Sequence, residues 1–246
     1  VSAPIDKEIN GKAHYLLGEC YSLVENYPQA IIAFEQCKRV SARSDIWNIN
    51  SDYGLAYIYY NLKEYQRARD YFSSFTSRSG KYHDFYQDGM MRLADCHYVL
   101  KNYSQAIQQY EFLTREPSVP KDYIYFQLGL TYQLNNQPQK AINSFEVVVN
   151  SEFPSTYKDN ALFQMGISYL EASQYKNAIT YFDRFERDMS ASGLMPYVRS
   201  KRALCYFNLN QLEYAANDYR AILENNITHS AANDALLGLQ ELRKKG

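Results

Sequence analysis

The chain has 246 residues, 22% of them charged, and a formal net charge of −1. At 46% hydrophobic it lacks the low hydrophobicity and high net charge of a disordered chain. With 26 basic residues against 27 acidic ones, nothing pulls it electrostatically toward nucleic acid or an anionic membrane surface. Gly (10) and Pro (7) are too few for a turn-rich β architecture, while 25 Tyr is an excess that needs explaining.

In chain order, a landmark of Ala, three residues and an aromatic recurs. It falls at Ala30/Phe34, Ala68/Phe72, Ala106/Tyr110, Ala141/Phe145, Ala178/Phe182 and Ala215/Tyr219. Successive alanines are 38, 38, 35, 37 and 37 residues apart. Ahead of each alanine lies a small residue: Gly18, Ala56, Ala94, Gly129, Gly166 or Ala203. Next comes Tyr21, Tyr59, His97, Tyr132, Tyr169 or Tyr206. Such internal repetition marks a solenoid-type architecture.

Apolar residues within each repeat recur at three- and four-residue spacing, as in Ala30, Ile31, Phe34 and Cys37. Each repeat therefore reads as two amphipathic helices, A and B, joined by short polar segments such as Glu25-Asn26 and Lys101-Asn102. The small residue of A and the alanine of B let the two helices approach closely. The aromatic residues fill the space beside that contact. A lone pair cannot bury its apolar face, so the pairs must stack.

These landmarks resemble the tetratricopeptide repeat family, over about residues 11–245. The resemblance implies an all-α fold: a right-handed superhelical solenoid of antiparallel helix pairs. Six repeats are expected over 11–230, starting near 11, 49, 87, 122, 159 and 196. Residues 231–246 read as a C-terminal capping helix, with Leu237-Gly238 in register and a basic end, Arg243-Lys244-Lys245. Residues 1–10 read as a tail or the remnant of a preceding repeat, with Ala3-Pro4 at the boundary. Extra residues are expected in the B-to-A junctions, notably Arg78–His83, with Gly80 as a helix C-cap. The run from Phe153 to Gly166 is similar to junctions of bacterial envelope repeat proteins, among them outer-membrane assembly lipoproteins and the periplasmic partner of the Tol–Pal system. That resemblance implies a periplasmic or outer-membrane-associated location, with the cytoplasm as the alternative.

The familiar chemical motifs are missing: there is no P-loop, HExxH or GxSxG. Neither the histidines nor the four cysteines (20, 37, 96, 205) have metal-ligand spacing. Cys20, Cys96 and Cys205 share one address in the repeat, which argues for packing over reactivity. No catalytic residue, metal or cofactor is expected. No apolar stretch approaches the ~18 residues of a membrane span.

By the resemblance, the A helices line a concave groove. Read onto this sequence, its candidate lining is Tyr15, Tyr53, Tyr57, Tyr60, Met91, Tyr98, Tyr123, Phe126, Phe163, Tyr197 and Phe207. The family's carboxylate clamp needs Lys and Asn at two groove positions, and no repeat has either. What remains is a surface of rings suited to a peptide or protein segment with apolar anchors. The alternative is that the long B-to-A junctions cover part of this stripe. A second class of function is structural, with the chain part of a longer array or self-associating through its N-terminal face.

Overall fold

Thirteen α-helices run through the computed structural model, which describes residues 7–226 and 228–245; among these there is no strand. The expectation at Ala3-Pro4 lies outside the described residues. Internal contacts divide the chain into two bodies, Val1–Val119 and Pro120–Gly246. The N-terminal body holds three helix pairs: α1 (Lys7–Leu23) with α2 (Tyr27–Val40), α3 (Ile46–Asn61) with α4 (Tyr65–Ser79), and α5 (Tyr86–Val99) with α6 (Tyr103–Leu113). The C-terminal body holds α7 (Lys121–Leu134) with α8 (Pro138–Val149), α9 (Lys158–Glu171) with α10 (Tyr175–Asp188), and α11 (Met195–Asn208) with α12 (Leu212–Asn225). It ends in α13 (Ala231–Lys245).

The repeated small residues sit where the helices meet. All six alanines of the B helices are fully buried, and the ring four residues on is buried in every repeat. In the first repeat a β-carbon at Gly18 would lie 2.6 Å from the Phe34 ring, so only glycine lets α1 and α2 close to this distance. Phe34 also packs under Gly54 of the next A helix, so one ring serves two interfaces. Burying such a ring stabilises by about 1.5–3 kcal/mol.

One backbone device closes all six A-to-B turns. Glu25, Lys63, Lys101, Asn136, Ser173 and Asn210 each have φ between 56° and 62°, the left-handed region. In the first turn the Glu25 amide donates to the Ser22 carbonyl at 3.0 Å, and the Asn26 amide donates to the Tyr21 carbonyl at 2.9 Å. The same pair of bonds recurs in the other five turns, always with the residue at the tyrosine position as acceptor of the longer-range bond. This is the Schellman closure, here without its usual glycine. The B helix starts at once, and no N-cap side chain bonds to it.

The junctions back to the next A helix are longer and use side chains. Gly80 ends α4 with φ +73°, the C-cap expected there. Ser155 donates to Asp122 and Ser192 to Asp159, both at 2.8 Å, tying two successive junctions to the start of their own repeats. These serines also accept from the Tyr157 and Leu194 amides at the mouths of α9 and α11.

One residue breaks the repeat pattern, and two expectations need correction. The residue before the small position is Leu or Met in five repeats, but in the sixth it is Arg202. Arg202 is buried and bidentate on Asp218 at 2.6 and 2.8 Å, with Asp183 and Glu186 at its other nitrogen. Cys20 is exposed, whereas Cys96 and Cys205 at the same address are buried. In α13 the Leu237-Gly238 register fails, because Leu237 is 61% exposed. Gly238 instead lies against the preceding ring, Tyr219, as Gly54 lies against Phe34.

Candidate functional site

In the N-terminal body the candidate groove residues converge, but they are fastened to one another. The Tyr53 hydroxyl donates to Asp88 at 2.7 Å, and Tyr57 donates to the same carboxylate oxygen. Arg92 donates to the Tyr57 hydroxyl at 3.3 Å and to Asp95 at 2.8 Å. Asp95 accepts from the buried Tyr110 hydroxyl at 2.6 Å. Burial, then the bond to Asp88, raises the Tyr57 phenol to about 12, and the same causes raise Tyr53. Both are therefore neutral donors at physiological pH. Tyr53 also stacks on Phe85 of the α4–α5 junction, with centroids 5.0 Å apart.

Tyr60 and Tyr98 lie half-buried at the edge of this network. Tyr60 meets Tyr65 edge-on at 5.5 Å, and Tyr98 lies 6.3 Å from Tyr103. Tyr15 and Met91 depart from the expectation, since both are buried. Tyr15 packs against Phe34 and against Trp47 in the first turn of α3, and burial first of all raises its phenol to about 12. These two residues form the floor beneath the surface.

In the C-terminal body the groove positions carry mostly apolar rings. Phe126 stacks on Tyr157 at 5.2 Å, and Tyr123 meets the same ring at 5.9 Å. Phe163 leans on Phe182 at 6.2 Å. Tyr197 packs on His229 at 4.6 Å, and its hydroxyl bonds Ser230 at 2.7 Å. A junction ring thus covers one flank of Tyr53, Phe126 and Tyr197, the covering considered above as the alternative. Phe207 is different. With Leu204, Leu237 and Gly238 it lines a cavity of ≈ 360 Å³ where α11 and α12 meet α13. Ser200, Asp234 and Glu241 stand at its polar edge, and the Lys245 ammonium lies 3.9 Å over the Phe207 ring.

Sequence reasoning missed two groups of residues. The junction rings Phe85, Tyr157 and His229 follow from junction length, which the repeat pattern leaves free. The α13 wall was hidden by its misread register. Its signal was the 37-residue step between repeats, which points to a start two residues later. Among the described residues no cluster of His, Cys, Asp and Glu could hold a metal ion, and no helix is long and apolar enough to cross a membrane.

Paired antiparallel helices stacked through one alanine–ring contact define an all-α helical-repeat protein. Tetratricopeptide repeat models match residues 11–43, 50–77, 123–156 and 160–188, together about half of the chain. The chain belongs to the tetratricopeptide repeat family. No curated protein matches it in sequence. Its fold is similar to that of the solved structure of pilF from Pseudomonas aeruginosa, with TM-score 0.60, 15% identity, and 98% of this chain and 99% of that chain covered. It is also similar to PilW, described as a widely conserved type IV pilus biogenesis factor, at 0.64, 16%, and 92% and 98%. A third neighbour is YrrB, a TPR protein with an unusual peptide-binding site, at 0.62, 15%, and 74% and 87%. At such identities the likeness is one of fold.

Proposed function

We propose that the chain is a non-enzymatic scaffold that captures a peptide or protein segment on the faces of its A helices, within a bacterial envelope assembly. The observation that carries this reading is the apolar cavity beside Phe207 and Leu204. It has the size and composition to take one aliphatic or aromatic side chain of a partner. Lys201, Asp234 and Glu241 stand at its edge, with Glu241 paired to Lys244, so the apolar anchor carries the recognition there. The remaining groove candidates (Tyr60, Tyr98, Tyr123, Phe126, Phe163 and Tyr197) extend the contact surface in their respective bodies. Tyr53 and Tyr57 offer ring faces, because their hydroxyls are already bonded.

The envelope assignment is supported by the junction Phe153-Pro154-Ser155 and by the pilus-related names of two fold neighbours. On this reading the protein works in the periplasm or at the outer membrane.

The test is selection from a displayed peptide library, followed by binding to Leu204→Asp. Leu204 is exposed, so its substitution leaves the helices intact. Selected peptides should share an apolar residue and lose at least tenfold in affinity for the variant. Equal binding to both proteins, or no enriched sequence, would sink the reading.

A further inference from the structure

Within the N-terminal body, one interface between A helices holds a cation that the other lacks. Between α3 and α5 the Arg92 guanidinium lies 6.0 Å from the Tyr60 ring centroid. It donates to the Tyr57 hydroxyl at 3.3 Å and to Asp95 at 2.8 Å. The first two repeat steps are both 38 residues, so the equivalents between α1 and α3 follow by subtraction. Glu19 stands for Tyr57, Ser22 for Tyr60, Tyr27 for Tyr65 and Tyr57 for Asp95. Gly54 stands for Arg92, so this interface has no guanidinium of its own.

The space is still there. Glu19, Ser22, Tyr27, Tyr53, Tyr57 and Asn61 surround a pocket of ≈ 180 Å³ beside Gly54. Position 54 cannot fill it, because a β-carbon there would lie 2.5 Å from the Phe34 ring. The groups left unspent suit a cation. Glu19 makes no hydrogen bond or ion pair among the described residues. Burial raises its pKa above the ordinary value, and no cation offsets the rise. Lys12, seven residues earlier on α1, is held over the Trp47 ring at 5.3 Å. The buried Ser22 hydroxyl has no partner among the described residues. The Asn61 amide donates to the Tyr27 hydroxyl at 3.4 Å, which leaves the Asn61 carbonyl oxygen to accept. Tyr53 and Tyr57 have committed their hydroxyl protons to Asp88 and present rings. A carboxylate among aromatic rings is the setting in which an organic cation binds.

We propose that this pocket is a subsite for the ammonium or guanidinium group of a Lys or Arg on a captured segment, with Glu19 as its counter-charge. The group takes the place that Arg92 fills one interface later. Its source, a bound peptide, rests on the groove reading; the pocket itself is separate from the cavity beside Phe207.

The Lys side chain detached from its backbone is n-butylammonium, so the subsite can be titrated before any partner is known. In the full chain with labelled Ile methyl groups, the Ile58 methyl, at the pocket wall, should shift saturably with millimolar n-butylammonium and not with n-butanol. Glu19→Gln should weaken that binding about tenfold and keep wild-type helicity by circular dichroism, since Glu19 is exposed to solvent on one side. A second arm tests the source. Peptide selection on Leu204→Asp, which takes the cavity beside Phe207 out of play, should return peptides carrying Lys or Arg. Those peptides should bind about tenfold more weakly when Glu19→Gln is added, or when their basic residue is replaced by norleucine or citrulline. No saturable shift, or one indifferent to Glu19→Gln, overturns the subsite even where Leu204-dependent peptides uphold the groove reading. A shift with no peptide that depends on both Glu19 and a basic residue shows a pocket for free amines, and overturns the proposal as stated.

Discussion

At one groove position the N-terminal body has Tyr53, whose hydroxyl is bonded to Asp88, while the C-terminal body has Phe163, which leans on Phe182. The difference propagates. A buried tyrosine hydroxyl needs a partner, and Asp88, from the next A helix, supplies it. Arg92 then pairs with both Asp88 and Asp95. The C-terminal body has no such demand at Phe126, Phe163 and Phe207, and part of its polar fastening lies behind the groove. There Arg202 joins α10, α11 and α12, and serines brace the junctions. The N-terminal body is fastened behind the groove as well, where Lys38, Ser74 and Arg78 converge on the buried Asp52, so it is secured on both sides. Securing it at the groove consumes the groups that would face a partner.

The strongest way to break this comparison is Arg202→Met, which strands Asp218 at 7% exposure. Removing one partner of a buried pair costs about 3–5 kcal/mol. Hydrogen exchange should accelerate in α10–α12 while α3 and α5 keep their protection. Equal acceleration in both bodies would mean that they share one cooperative transition.

The second substitution acts on the other body. Tyr57→Phe removes one donor from Asp88 and keeps the ring, so a loss of about 1.5 kcal/mol in urea unfolding is expected. No loss would show that the groove network does not fasten the N-terminal body.

The smallest effect tests a feature common to both bodies. Lys63→Gly relieves a left-handed residue, and stability should rise by about 0.5–1 kcal/mol. Asn136→Gly, its equivalent in the C-terminal body, should gain less, because Asn tolerates this conformation better. Reversed gains would mean that the two turns are held differently.

The fold was legible because it depends on volume. A residue must be small where Gly18, Ala30 and their equivalents meet a ring, and that constraint appears at a fixed interval. The turn conformation was not legible, since Glu25, Lys63, Lys101 and Ser173 are not residues that announce φ > 0. The site was half legible. Groove positions follow from the repeat, but Tyr15 is buried by Trp47 at the start of the next A helix, and Tyr53 is flanked by Phe85 from a junction without a fixed pattern. Two tyrosines outside the groove also found structural work, Tyr71 stacking on Tyr59 and Tyr181 on Tyr169. Arg202 shows the limit of reading by repeat position: it stands where the other repeats have Leu or Met, and finds its acids on two neighbouring helices.

The backbone-closed turns carry a kinetic consequence. Within each body the helices in substantial contact are the next in sequence or the next but one. Native contacts are therefore made between residues near in sequence, and little loop entropy is spent before the first are gained. Any hairpin can nucleate, and growth can proceed to either side. A chain emerging from the ribosome can lock α1 against α2 as soon as Ala30 and Phe34 are free, long before its last repeat is made.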